Sequence, residues 1–125
     1  MRFTTVQDVQ RTHLEWAHNT GGLQISDSGT AVVPTLRLSD MVRKLERVDL
    51  LKFDCEGAEG DGLLDLQRSN QTPKIGWIRG EWHGMQNVKK VVEGLQPTHR
   101  YKLDQRGWGD FCGGMFIAHR TRDFI

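Results

Sequence analysis

Leu50-Leu51-Lys52-Phe53-Asp54-Cys55-Glu56-Gly57-Ala58-Glu59 decides the fold: an apolar strand that runs straight into carboxylates. Its apolar part barely alternates, which is the habit of a parallel strand buried on both faces. Upstream, Ser39 and Asp40 precede a stripe of Leu38, Met41, Val42, Leu45 and Val48, predicting a helix capped at Ser39 with one buried face. Downstream, Gly62 to Arg68 predicts a shorter helix ended by Ser69-Asn70, and Lys74 to Glu81 a second strand. Val88, Val91, Val92 and Leu95 then recur at helical spacing until Pro97 stops them. His99 to Leu103 and Phe111 to His119 predict two more strands, antiparallel because the loop from Asp104 to Asp110 is short. The order of helix, strand, helix, strand, helix and hairpin is that of an α/β unit, its first two strands parallel through right-handed crossovers.

The chain has 125 residues, with 37% apolar and 26% charged side chains, as expected of a folded globular domain. Seventeen basic residues against 16 acidic ones leave a net charge of +1, so no global field points to nucleic acid or to a membrane surface. The apolar runs are too short to span a bilayer, and the first residues lack the apolar core of a signal peptide, so a cytoplasmic location is expected. Cys55 and Cys112 form no Cys-x-x-Cys pair and are expected to be buried free thiols. Residues 1–33 form an irregular N-terminal segment. Thr4 to Val9 is a weak strand candidate, Leu23 to Ile25 a short extended piece, and the turn signals fall at 18–22 and 26–29. The ordered part runs from residue 34 to residue 125.

Asp54 and Glu56 stand two apart on one strand, and Glu81 and His83 repeat that spacing on the next, so each pair shares a face. Open sheets of this class bind ligands at the carboxyl ends of their strands. Carboxylates beside a histidine fix its tautomer for acid–base work, and the same set could hold a hard divalent cation. The plainer alternative is that Glu56 and Glu59 merely complement the dipole of the following helix. Gly57, Gly60 and Gly62 could cradle a nucleotide, but their spacing departs from Gly-x-Gly-x-x-Gly and the acids around them would repel a phosphate. His13, His18, His99 and His119 read as surface or turn residues, Trp77 as core, and Trp82 as packed under a helix. Trp108 reads as a roof over a ligand or an anchor for its loop. Lys52 and Arg79 could pair with the neighbouring acids.

Three stretches resemble the FkbM family of S-adenosylmethionine-dependent methyltransferases: Leu36 to Asp40, Asp49 to Glu59, and Gly80-Glu81-Trp82-His83. The resemblance covers roughly residues 34–103. It implies an α/β, Rossmann-like class I methyltransferase fold with parallel strands, flanking helices and a closing antiparallel hairpin. In that register, Asp49 to Asp54 is the fourth strand and Lys74 to Glu81 the fifth. Residues 1–33 are too few for the three preceding strands, so the expectation is a truncated or split form: residues 34–125 as the C-terminal half, lacking most of the cofactor cradle.

The implied activity is methyl transfer from S-adenosylmethionine to a hydroxyl on a small-molecule, sugar or lipid acceptor. Asp54 would lie near the transferred methyl, His83 would be the base, and Glu56 and Glu81 would position it or hold a metal. The exposed edge of that fourth strand, Asp49 to Asp54, would need a missing N-terminal half or a second copy to cover it. The alternatives are a non-catalytic Rossmann-like binding module that has lost the cofactor site, and a metal-dependent hydrolase using Asp54, Glu56, Glu81 and His83.

Overall fold

The computed structural model describes residues 2–3, 25–26, 31–32, 34–55, 57–107 and 112–121. The chain divides into two compact units, Met1–Thr35 and Leu36–Ile125. In the first, three two-residue strands, β1 (Arg2–Phe3), β2 (Ile25–Ser26) and β3 (Ala31–Val32), pair antiparallel in the order β2-β1-β3. The extended piece expected at Leu23 to Ile25 meets β2 at Ile25. The strand expected over Thr4 to Val9 lies outside the described residues.

The second unit is mixed α/β. It runs α1 (Leu38–Arg43), β4 (Val48–Phe53), α2 (Glu59–Arg68), a 3-10 turn (Thr72–Lys74), β5 (Ile75–His83), α3 (Met85–Leu95), β6 (His99–Leu103) and β7 (Gly113–Arg120). The sheet order is β4-β5-β7-β6. β4 and β5 are parallel, whereas β7 inserts antiparallel between β5 and β6.

Alternation along β5 separates two faces. Ile78 and Trp82 point into a core shared with Phe53 of β4, Leu63 and Leu66 of α2, Val91 and Leu95 of α3, and Phe116 of β7. Trp77, Arg79 and Glu81 point the other way and are exposed. Each buried aliphatic side chain contributes roughly 1.5–3 kcal/mol. The helices α2 and α3 pack unusually close. A Cβ added at Gly94 would sit 2.8 Å from the Leu63 Cβ, and one at Gly60 would sit 2.6 Å from the Lys90 Cβ.

Several local expectations are corrected. α1 ends at Arg43, short of the stripe, so Val42 is buried while Met41 and Leu45 are exposed. Ser39 lies inside α1, and its backbone N–H is satisfied by Asp65 Oδ2 at 2.8 Å. α2 begins at Glu59, three residues earlier than expected. β4 is the edge of its sheet rather than a centre, and Leu50, on the face opposite the core, is 60% exposed. Trp77 is half exposed because it stands on the face opposite the core. Cys55 falls beyond β4, in the turn, and is exposed, whereas Cys112 is buried.

His99 is also corrected, since it is buried. β7 pairs with β5 from Trp77 onward, and before that point the Ile75 carbonyl accepts a bond from His99 Nε2 at 2.8 Å. A carbonyl only accepts, so Nε2 carries the proton and Nδ1 accepts from the Thr98 hydroxyl at 2.7 Å. Burial pushes the His99 pKa down from its ordinary value, as do Arg120 and His119, against the opposing bond to Ile75.

Candidate functional site

The parallel pair β4–β5 delivers its carboxyl ends to one place. β4 stops at Phe53, and the chain turns through Asp54, Cys55 and Gly57 into α2, with Gly57 in the left-handed region at φ 104°. That conformation suits glycine and strains any residue with a Cβ. β5 ends on His83, and Gly84 at φ 86° starts α3 at once. The two turns therefore face each other across adjacent strand ends.

At the centre lies Glu59, the first residue of α2, with no exposed surface. Its side chain turns back over its own helix N-terminus. Oε1 accepts the backbone N–H of Cys55 at 3.1 Å and pairs with His83 Nδ1 at 3.0 Å. Oε2 accepts the N–H of Gly57 at 2.9 Å and Asn87 Nδ2 at 2.9 Å. A buried carboxylate is costly unless its lone pairs are satisfied, and here each oxygen has two partners. Asn87, buried in the first turn of α3, also accepts the Gly60 N–H on Oδ1 at 2.7 Å. One amide thereby ties the starts of α2 and α3 to the carboxylate.

The expected residues fall as follows. His83 is partly buried between two carboxylates, with Nε2 lying 3.5 Å from Glu81 Oε2. Glu81 is about half exposed. Asp54 is exposed at the end of β4, and one ligand-type atom from each of Asp54, Glu59 and His83 lies within 4.8 Å of the others. Glu56 and Trp108 lie outside the described residues. Two clefts border His83. One of about 410 Å³ lies against Gly57, Gly84, Asn87 and Lys90, and one of about 220 Å³ against Glu81, Arg106, Gly114 and Met115.

Glu59 and Asn87 are the residues that sequence reasoning missed. Glu59 reads equally well as a helix-dipole residue. Asn87 opens the buried face of α3, four positions before Val91, and a polar residue at that place is the available signal.

The acids around His83 suit a cationic sulfonium and would repel a phosphate. A metal cation would be served less well. Glu59 could bind one only by giving up a bond from a backbone N–H, Asn87 or His83.

The Methyltransferase FkbM domain family profile matches residues 3–103, which takes in the N-terminal residues that the quoted motifs left out. No curated protein and no solved structure matches the chain. With 101 of 125 residues under one family profile, the chain belongs to the FkbM methyltransferase domain family.

Proposed function

We propose that this chain is an S-adenosylmethionine-dependent methyltransferase domain that methylates a hydroxyl on a small-molecule, sugar or lipid acceptor. The observation that carries the reading is the pair of buried Glu59 and partly buried His83 at the carboxyl ends of the parallel strands β4 and β5. The closing antiparallel β6–β7 hairpin supports the Rossmann-like class I reading of the fold. S-adenosylmethionine, when bound, supplies an electrophilic methyl on a sulfonium.

His83 is the base. His83 would take the proton of the acceptor hydroxyl as that oxygen is methylated, and the bound donor would supply the methyl and keep the C–S electron pair. Asp54 stabilises positive charge at the strand end, and Glu81 holds the imidazole that has gained the proton. Holding the acceptor in line supplies most of the rate gain. Release of S-adenosylhomocysteine across a panel of hydroxyl acceptors tests the reading. His83→Ala and Asp54→Asn should each lower turnover at least about 100-fold, within the range of a lost base, with the circular dichroism unchanged. Near-normal turnover in both variants would remove the assignment.

The second reading is a metal-dependent hydrolase, favoured by the grouping of Asp54, Glu59 and His83. It requires activity that a chelator abolishes and a divalent ion restores. The third is a binding module without the donor, which predicts no calorimetric heat with millimolar S-adenosylmethionine. A truncated or split domain would give that same result until it is supplied with its missing half.

A further inference from the structure

We infer that Glu59, held by Asn87, is a positioning residue that sets the tautomer of His83: Nδ1 carries the proton and Nε2 is the atom that acts as base. The inference rests on the reading of His83 as the base, and its test is independent of activity.

The argument follows from the donors. Every partner of Glu59 whose role is fixed donates to it: the N–H groups of Cys55 and Gly57 and the amide of Asn87. A proton on Oε2 would point at one of these donors, and a proton on Oε1 would be shared with His83 Nδ1, where the imidazole is the stronger base of the two, so the side chain is a carboxylate. A carboxylate only accepts, so the 3.0 Å contact to His83 requires Nδ1–H. The Asn87 amide is fixed in turn, because its Oδ1 must accept the Gly60 N–H, which leaves Nδ2 for Glu59.

On the other side of the ring the contact is longer and wetter: 3.5 Å to Glu81, which is 48% exposed. When the imidazole holds a single proton, the buried, shorter contact keeps it. Nε2 then presents its lone pair on the side of the cleft lined by Glu81, Arg106 and Met115. A proton accepted at Nε2 can pass to Glu81 and on to water. This places the acceptor hydroxyl in that cleft and gives Glu59 and Glu81 different tasks, orientation for the first and proton release for the second. Asp54 at the β4 end is the remaining described acid near the ring, and Lys90, paired with Asp61 at 2.8 Å, is the nearby cation on α3.

The test is ¹⁵N–¹H correlation spectroscopy of the histidine side chains at alkaline pH, with His83 assigned by loss of its signals in His83→Asn. The expected wild-type pattern is a protonated Nδ1 and a bare Nε2 at His83, with the reverse at His99. His99 serves as the internal control for the fold. Glu59→Leu, which removes the acceptor, should move His83 toward the Nε2–H form that free imidazole side chains prefer, with the His99 pattern unchanged. Asn87→Ala should move it the same way by a smaller amount.

An Nε2–H ring at His83 in the wild type would overturn the inference. So would a folded Glu59→Leu protein that keeps the wild-type pattern. If Glu59→Leu loses the His99 pattern as well, the wild-type spectrum alone decides. An unchanged Asn87→Ala spectrum removes Asn87 from the proposal. Failure of base catalysis itself would instead appear as full turnover in His83→Ala.

Discussion

At the scale of single residues, His83 and His99 hold their protons on opposite nitrogens, because Nδ1 of the first faces the Glu59 carboxylate and Nε2 of the second a backbone carbonyl. His99 has a consequence for stability. Its folded-state pKa lies below the ordinary value of 6.5, so the unfolded chain binds the extra proton first. Its contribution is complete above pH 6.5 and is lost as the pH falls through the folded pKa. Urea unfolding between pH 7 and pH 5 should therefore show a steeper loss in the wild type than in His99→Gln, which keeps a donor for Ile75 without the titration. Glu59 carries more weight. Glu59→Ala would leave four donors, the Cys55 and Gly57 N–H groups, the Asn87 amide and His83 Nδ1, without their acceptor and should destabilise by about 3 kcal/mol or more. Sequence reasoning proposed Asp54, Glu56, Glu81 and His83 for the site and read Glu59 only as a residue that complements a helix dipole. The distinction depends on Asn87, which is 28 residues away and arrives only when α3 docks.

Among the elements, the junctions between helices carry the clearest predictions. Gly94 faces the backbone of Leu63, with that residue's carbonyl carbon 2.9 Å from an added Cβ. Gly94→Ala should therefore lose about 1–3 kcal/mol by overpacking, despite the better helix propensity of alanine, and would appear as a lowered thermal midpoint. Asp65 joins α2 to α1. Burial pushes its carboxyl up, but the Ser39 N–H and the Arg37 guanidinium outweigh that and hold its pKa below the ordinary 3.8. This contribution is present above that value and lost as the pH falls through the lower folded pKa. Arg37 is largely exposed, so Asp65→Asn should cost only about 1 kcal/mol at neutral pH. Element order and the antiparallel hairpin were legible because periodicity and loop length are local. The end of α1 was not, because the stripe from Leu38 to Val48 continues through the turn into β4 without a change in polarity.

For the molecule as a whole, the unit Leu36–Ile125 covers only one face of its sheet with described helices. On the other face, register aligns Leu50, Trp77, His119 and Arg100 in one row and Lys52, Arg79, Ile117 and Lys102 in the next. All eight are exposed. The apolar run of β4 read as doubly buried, since sequence shows that a residue is apolar but not whether a neighbour has arrived to cover it. An uncovered edge strand invites pairing with another chain. Leu50→Lys is thus expected to reduce self-association in sedimentation velocity at high concentration, and an unchanged profile would show that β4 is not the contact.

The bond from the Gly60 N–H to Asn87 has a wider use. Amides in the first turn of a helix lack an intrahelical acceptor and ordinarily exchange with solvent quickly. The Gly60 amide instead depends on a side chain from another helix. Its hydrogen-exchange rate is thus a clock for the docking of α3, readable without substrate or donor. The same opening that releases it also frees one arm of the carboxylate beneath His83, so slow exchange at this one amide reports an assembled site.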